Sequence, residues 1–349
     1  PVLDNQTTFT NIDLSQLPLS ATGKTGHVSG TVKLKGPLPD PENILTSNLK
    51  IDTTFKITDL KMSAGTIPLD VKTFDGKASL QQGKLTHDLN GTLFGGTVKT
   101  KGSLIIHQGK KQTLITADSD LALDHVNLDW APLINKSAPS SGTVTANLKI
   151  KGPLPSTAEI SPKLKLTGTF TGEKLVLENR QIEKVVLTFK ESTAKSRPVV
   201  VEMEKINLGD KKVKKLKAQF EITPEKIDLT RGEIWPMNGL IQLAGNFEPP
   251  SGNYRLRFKG EKLKVEDLTP HIKGPLQFSG AVVGTMPKNT KTPELPDYAR
   301  DLSGDIKIAL VDGAIPELGT LEGLLTLLNP TTALNAQKGG LVTTTWGEI

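Results

Sequence analysis

Side chains that could carry out catalysis are few and scattered along this chain. The 349 residues include five histidines and no cysteine, which excludes disulfides, thiolate nucleophiles and cysteine-ligated metal sites. No two histidines have the HExxH spacing of a helical zinc site. Asp118 and Asp120 could pair for acid–base chemistry, but residues two apart on a strand are better explained as part of a solvated face. We therefore expect no enzyme, no metal and no cofactor.

Two further catalytic motifs are incomplete. TGKT at 22–25 resembles the end of a phosphate-binding P-loop, but Pro18 stands where the first glycine is required. The chain also lacks the GxSxG turn that exposes a nucleophilic serine. Neither phosphoryl transfer nor serine hydrolysis is indicated.

The densest run of charge is basic. It consists of Lys211, Lys212, Lys214, Lys215 and Lys217. Such a run could meet anionic lipid head groups, but a charged outer strand that discourages edge pairing is the more ordinary explanation. Nucleic acid is not expected as a partner, because the net charge is only +6 and three Trp, two Tyr and ten Phe offer no stacking platform.

Alternation of apolar and polar residues dominates the rest of the sequence. Val28, Gly30, Val32 and Leu34 alternate with serine, threonine and lysine, as in a strand with one buried and one wet face. Similar runs occur at 49–57, 98–104, 144–150, 199–203, 216–222, 254–258 and 306–310. The sequence predicts an all-β fold: an extended antiparallel sheet with an apolar face and a wet face.

Internal repeats support this organisation. SGTVKLKGPLP at 29–39 returns as SGTVTANLKIKGPLP at 141–155 and, more weakly, as SGAVVGTMP at 279–287. A second motif, FGGTVKTKGSL at 94–104, matches MNGLIQLAGNF at 237–247. If Gly30 corresponds to Gly142, the distance along the chain to the next motif glycine is even in both copies, from Gly30 to Gly36 and from Gly142 to Gly152. An even difference in length keeps the same side chains on the same face of the sheet. We assign 1–290 to a repetitive sheet with copies near 11–104, 126–247 and 265–290.

One segment has helical periodicity. A leucine stripe predicts an amphipathic helix at 316–328 within a C-terminal segment, 291–349, and Asn329-Pro330 ends it. This helix could cap the sheet, gate it or contact a membrane. The stripe comprises Leu318, Leu321, Leu324, Leu325 and Leu328.

These motifs resemble the AsmA-like family. The glycine-punctuated strands FGGTVKTKG and NGLIQLAG, the segment LPLSATGKTGHVSGTVKLKG, and the ending at 303–334, where a strand closing in DGAI leads into leucines, are similar to that family. The resemblance implies that the extended antiparallel sheet is curled into a half-pipe groove. It further implies a place in the periplasm of a diderm bacterium, where the groove carries phospholipids between inner and outer membranes. It also implies an inner-membrane anchor, which this chain lacks, so we expect the C-terminal part of a longer protein.

Two functional hypotheses follow. In the first, aliphatic side chains of the apolar face bind phospholipid acyl chains without an enzymatic step, with inner- or outer-membrane proteins as further partners. The alternative is a periplasmic scaffold with a dry, packed interior that binds proteins through its sheet edges. A carbohydrate-active protein is a weaker option, because aromatic residues are few. The expected groove lining is Val32, Leu34, Phe55, Ile57, Val98, Leu148, Ile150, Phe220, Ile241, Leu243, Leu256 and Phe258.

Overall fold

A computed structural model shows an all-β protein with almost no helix in the described residues. It divides into two compact units, Pro1–Ala194 and Lys195–Ile349. The structure describes residues 2–16, 22–39, 47–64, 67–108, 113–129, 131–134, 138–154, 164–177, 180–192, 196–209, 211–236, 238–264, 275–286, 303–310 and 342–346.

The first unit is an antiparallel meander in which each strand pairs with the next strand of the chain. A single 3₁₀ turn, Leu14–Gln16, follows the first strand, and the one described helix of this unit is α1, Ala131–Ile134. The strands are β1 Val2–Asp13, β2 Thr22–Pro37, β3 Lys50–Ala64, β4 Ile67–Gln81, β5 Lys84–Leu93, β6 Gly96–Gln108, β7 Thr113–Asn127, β8 Ser141–Pro153, β9 Lys165–Leu177 and β10 Arg180–Phe189.

The second unit repeats this plan with sequential antiparallel pairing. Its strands are β11 Arg197–Leu208, β12 Lys211–Ile222, β13 Ile227–Pro236, β14 Leu240–Phe247, β15 Asn253–Lys264, β16 Pro275–Thr285, β17 Ser303–Leu310 and β18 Val342–Trp346. The C-terminal run LVTTTWGEI at 341–349 contains β18, which pairs with β17. The leucine helix predicted at 316–328 lies outside the described residues.

Two-residue turns close the tightest hairpins. Gln82 and Gly83 between β4 and β5 have φ angles of 51° and 74°, and Phe94 and Gly95 between β5 and β6 have 48° and 79°. Two successive positive φ angles are typical of the type I′ turn, whose twist matches that of the flanking strands. These turns set the register of β4, β5 and β6.

Six of the odd-numbered strands carry a residue with a left-handed φ angle near their C-terminal ends, as at Asp59 and His125. The backbone of a neighbouring glycine lies against several of these residues: a Cβ on Gly239 would lie 2.8 Å from the Lys262 carbonyl oxygen. Bulges of this kind add local twist and re-aim the side chains that follow. We call the end of each unit where odd-numbered strands finish its bulge end. The residues are Asn11, Asp59, His125, Lys174, Lys205 and Lys262, with φ between 49° and 55°.

The structure corrects how the first repeated motif aligns. Gly26 and Gly142 have φ angles of 119° and 124°, and the glycines ten residues later in each copy have 133° and 124°. Gly26, and not Gly30, is therefore the counterpart of Gly142, and the two copies align without a gap. Equivalent hydrogen bonds support this alignment. The Asn11 backbone N–H donates to Ser29 Oγ at 2.8 Å, and the His125 N–H donates to Thr145 Oγ1 at 3.3 Å.

Each unit is stabilised mainly by neighbouring strands. In the part of the chain that is described, the substantial contacts between elements join consecutive strands, apart from those of the 3₁₀ turn with β2. No large side chain in that part is fully buried. Most residues that are buried are small or β-branched, such as Ala117, Val144 and Ala146. The described part of each unit is consequently a single sheet layer.

Candidate binding face

Strand register places an uncharged row of residues across the whole first unit. Directly opposed residues of paired strands share a face of the sheet, so the row can be followed from β1 to β10. It contains no ionisable side chain. The row is Phe9, Gly30, Phe55, Gly76, Leu89, Thr100, Leu121, Leu148, Gly168 and Phe189.

Flanking rows on the same face are mostly apolar, although one of them includes Thr7, Thr53 and Ser119, and His87 is their one ionisable member. Its Nε2 lies 3.0 Å from Thr100 Oγ1, so this histidine sits within the face, as a packed histidine would. All the lining residues predicted in this unit belong to these rows and are half-buried. They are Val32, Leu34, Phe55, Ile57, Val98, Leu148 and Ile150.

The second unit has an equivalent apolar face. One row runs through Val201, Ala218, Gly232, Leu243, Phe258, Gly280 and Ile306. The remaining predicted lining residues lie on this row or on its neighbours, and all are half-buried. They are Phe220, Ile241, Leu243, Leu256 and Phe258.

Aromatic rings on this face lie over glycines of adjacent strands. A Cβ on Gly260 would lie 2.5 Å from Cε1 of Phe278, and one on Gly280 would lie 2.9 Å from Cζ of Phe258. The two rings contact each other, with centroids 5.8 Å apart, and Phe55 and Phe74 do likewise at 6.0 Å. Aromatic cover of this kind compensates for glycine in a strand. The contribution of Phe74 and Phe278 was not foreseen from the sequence.

The opposite face carries charges that alternate in sign across neighbouring strands. Lys77, Asp88, Lys101, Asp120 and Lys149 form one such ladder over β4 to β8. A hydrogen bond from Lys101, at 2.9 Å, lowers the pKa of the Asp88 carboxyl, and the same contact raises the pKa of Lys101.

The two aspartates considered for acid–base chemistry lie on this charged face. Asp118 contacts Lys151 at 3.3 Å, and Asp120 lies between two lysines of the ladder. Both side chains are exposed. Their surroundings are those of a solvated strand face, as the sequence indicated.

The basic run divides between two environments. On the charged face, Lys217 contacts Glu202 at 2.8 Å, and Lys215 lies 3.8 Å from Glu204. The hydrogen bond from Lys217 lowers the pKa of Glu202. Lys212 and Lys214 instead stand exposed at the bulge end of the second unit. The explanation as a charged strand face therefore applies to Lys215 and Lys217 but not to Lys212 and Lys214.

Three further candidate features are a metal site, a membrane-spanning helix and the leucine stripe. Within the described ranges, no three His, Asp or Glu side chains cluster closely enough to hold a metal ion. None of the helices in those ranges has the length and apolar character needed to cross a membrane. Leu318, Leu321, Leu324, Leu325 and Leu328 lie outside the described residues.

Comparison of the chain with protein-family models, with curated proteins and with solved structures found no match.

Proposed function

We propose that this protein binds phospholipid acyl chains along its apolar faces and acts, without catalysis, as a lipid-transport segment of an envelope-spanning protein. The observation that carries the proposal is the uncharged face, whose rows cross all ten strands of the first unit. Leu148 and Leu243 lie in such rows and are half-buried, with no described second layer above them.

Physical chemistry favours this use of the face. Burial of an alkyl chain contributes about 0.8 kcal/mol per CH₂, so a long apolar surface holds acyl chains without a specific polar residue. Aliphatic side chains and flat-lying rings fit a flexible chain that can slide. In the proposal, the sheet curls as a half-pipe with its apolar face inside and its charged face in water. The added twist at the bulges is consistent with such curling.

The cellular setting is part of the proposal and depends on the AsmA-like motifs alone. It places the protein in the periplasm of a diderm bacterium, anchored in the inner membrane by a segment outside this chain. Phospholipid would then move between inner and outer membranes, and membrane proteins at either end would be partners. The leucine stripe at 318–328 would cap the groove or meet a membrane.

A photo-crosslinking experiment tests the proposal in a diderm host. A benzoyl-phenylalanine probe replaces Leu148 or Leu243 on the apolar face, and matched probes replace the adjacent Lys149 and Gln242, which are exposed on the other face. Probes at Leu148 and Leu243 are expected to yield phospholipid adducts in mass spectrometry, and the matched probes are not.

The outcomes separate the two main hypotheses. Absence of lipid adducts at Leu148 and Leu243, or equal adducts from both faces, would contradict lipid binding by the apolar face. Adducts to protein alone at those positions would favour the scaffold alternative.

A further inference from the structure

The bulge end of the second unit concentrates exposed lysines that make no ion pair or hydrogen bond among the described residues. They come from the ends of β11 and β15 and from the start of β12. We call this set the basic rim. Its members are Lys205, Lys212, Lys214, Lys262 and Lys264.

The carboxylates that adjoin Lys205 and Lys262 in the sequence are already engaged by other lysines. Glu204 lies 3.8 Å from Lys215 Nζ, and Glu261 lies 2.5 Å from Lys259 Nζ. Lys262 contributes to lowering the pKa of Glu261, but Lys259 is the main cause. The rim therefore keeps most of its positive charge for a partner outside the described part of the chain.

Register shows that the rim is compact. Val213 is opposite both Ile206 and Pro236, so Lys212 and Lys214 stand at the same level as the end of β13. The Lys262 backbone in turn lies against Gly239, just before β14. With strands about 4.8 Å apart, the rim from β11 to β15 spans roughly 20 Å.

An exposed leucine accompanies the lysines. Leu208 is 42% exposed at the tip of the β11–β12 hairpin, opposite Lys211. Half-buried Trp235 is close by, opposite Lys215. Basic side chains around an apolar tip and an aromatic ring are the composition of surfaces that sit at a lipid–water interface.

The first unit shows that a bulge end need not be basic. There Asp124 contacts His125 at 2.6 Å, and Glu183 precedes Lys184 at the start of β10. Both signs of charge occur together at that end. The basic rim is therefore a property of the second unit and not of the bulge itself.

We propose that the basic rim docks the second unit onto the surface of a bilayer rich in anionic phospholipid. The lysines lie among the head groups, and Leu208 enters the interface. On β11 to β14 the apolar row nearest this end is Met203, Leu216, Ile234 and Ile241, so the bilayer meets the apolar face there. This role in lipid transfer rests on the proposed function, whereas docking itself does not.

Vesicle co-sedimentation of the full chain tests docking. Wild-type protein is expected to bind vesicles of phosphatidylglycerol mixed with phosphatidylcholine and to dissociate from them at high salt. It is not expected to bind vesicles of phosphatidylcholine alone. The rim variant Lys205→Gln/Lys212→Gln/Lys214→Gln should lose about a hundredfold in partitioning, roughly fivefold per lysine. Leu208→Ser should weaken the part of the binding that resists salt.

A matched variant, Lys56→Gln/Lys99→Gln/Lys149→Gln, removes three exposed lysines from the charged face of the first unit and should bind as wild type. Circular dichroism checks that both triple variants fold. Equal losses in the two triple variants, or equal wild-type binding to both kinds of vesicle, would overturn docking.

The Leu243 photo-probe separates this proposal from the broader one. A lipid adduct at Leu243 without vesicle docking would contradict only the proposal that the basic rim docks on a membrane. Docking without an adduct would support docking by the basic rim and contradict acyl-chain binding by the apolar face.

Discussion

The two faces of the same strands are satisfied in different ways. On the charged face, Asp88 lies between Lys77 and Lys101 in register, so neighbouring strands supply its partners. On the apolar face, Leu148 and Leu243 are only half-buried by their neighbours, and nothing in the described structure covers them. In the described residues, the sheet therefore supplies its own partners on the charged side and has no second layer on the apolar side.

The largest difference between the faces should appear when a charge enters an apolar row. We expect Leu148→Asp to lower the free energy of unfolding by about 2–3 kcal/mol, because it removes apolar contact and places a carboxylate in an uncharged row. The matched Lys149→Asp, which faces Asp120, should cost less than about 1 kcal/mol. Urea unfolding of both variants gives the comparison, and equal losses would remove the distinction between the faces.

A methyl group under an aromatic ring should have a somewhat smaller effect. Gly260→Ala would displace the Phe278 ring, which we expect to cost about 1–3 kcal/mol. The double variant Gly260→Ala/Phe278→Leu should recover part of this loss, because the smaller side chain leaves room for the new Cβ. Thermal unfolding measures both. Ser279→Ala on the charged face is the control, and failure of the second substitution to restore stability would contradict the ring–glycine packing.

Each ion pair of the charged face should contribute little to the free energy of unfolding. For Glu202 and Lys217, whose side chains are 34% and 36% exposed, a double-mutant cycle should give a coupling below about 1 kcal/mol that shrinks in high salt. The Phe258–Phe278 pair should couple more strongly and independently of salt. A salt-insensitive Glu202–Lys217 coupling would show that this pair is not screened by solvent.

The smallest effect is a pH dependence confined to the charged face. The Lys217 hydrogen bond holds the pKa of Glu202 below its ordinary value in the folded protein. The resulting stabilisation is therefore present above the unfolded-state pKa of a glutamate and is lost as the pH falls from there through the lower folded-state pKa. Urea midpoints measured across this range should fall less steeply for Glu202→Gln than for wild type. Identical slopes would contradict the lowered pKa.

The face of the sheet on which each side chain lies was the feature most readily predicted from the sequence. Alternation at 98–104 and 144–150 placed Val98, Leu148 and Ile150 on one face, because the side-chain period of a strand is a local property. Their proposed role in lining a groove stays a prediction.

Features that depend on distant residues were not accessible. The ring of Phe258 meets Gly280 only because β15 and β16 pair in a register that places these two residues opposite each other. Left-handed bulges also interrupt simple parity: Val126 is opposite Val144 although Leu123 is opposite Ala146. A signal was present, since an acidic residue or threonine, then Asn, Asp, His or Lys, then an aliphatic residue recurs at 10–12, 58–60, 124–126, 173–175, 204–206 and 261–263.

Pairing that is restricted to consecutive strands has a consequence for unfolding cooperativity. When each strand is stabilised mainly by its two neighbours, order propagates along the sheet as in a one-dimensional array, and stability is a sum of strand and interface terms. A weakened strand in the middle of a unit would then divide it into segments that melt separately. Hydrogen exchange should accordingly report a gradient of protection along the strand order rather than a single global opening.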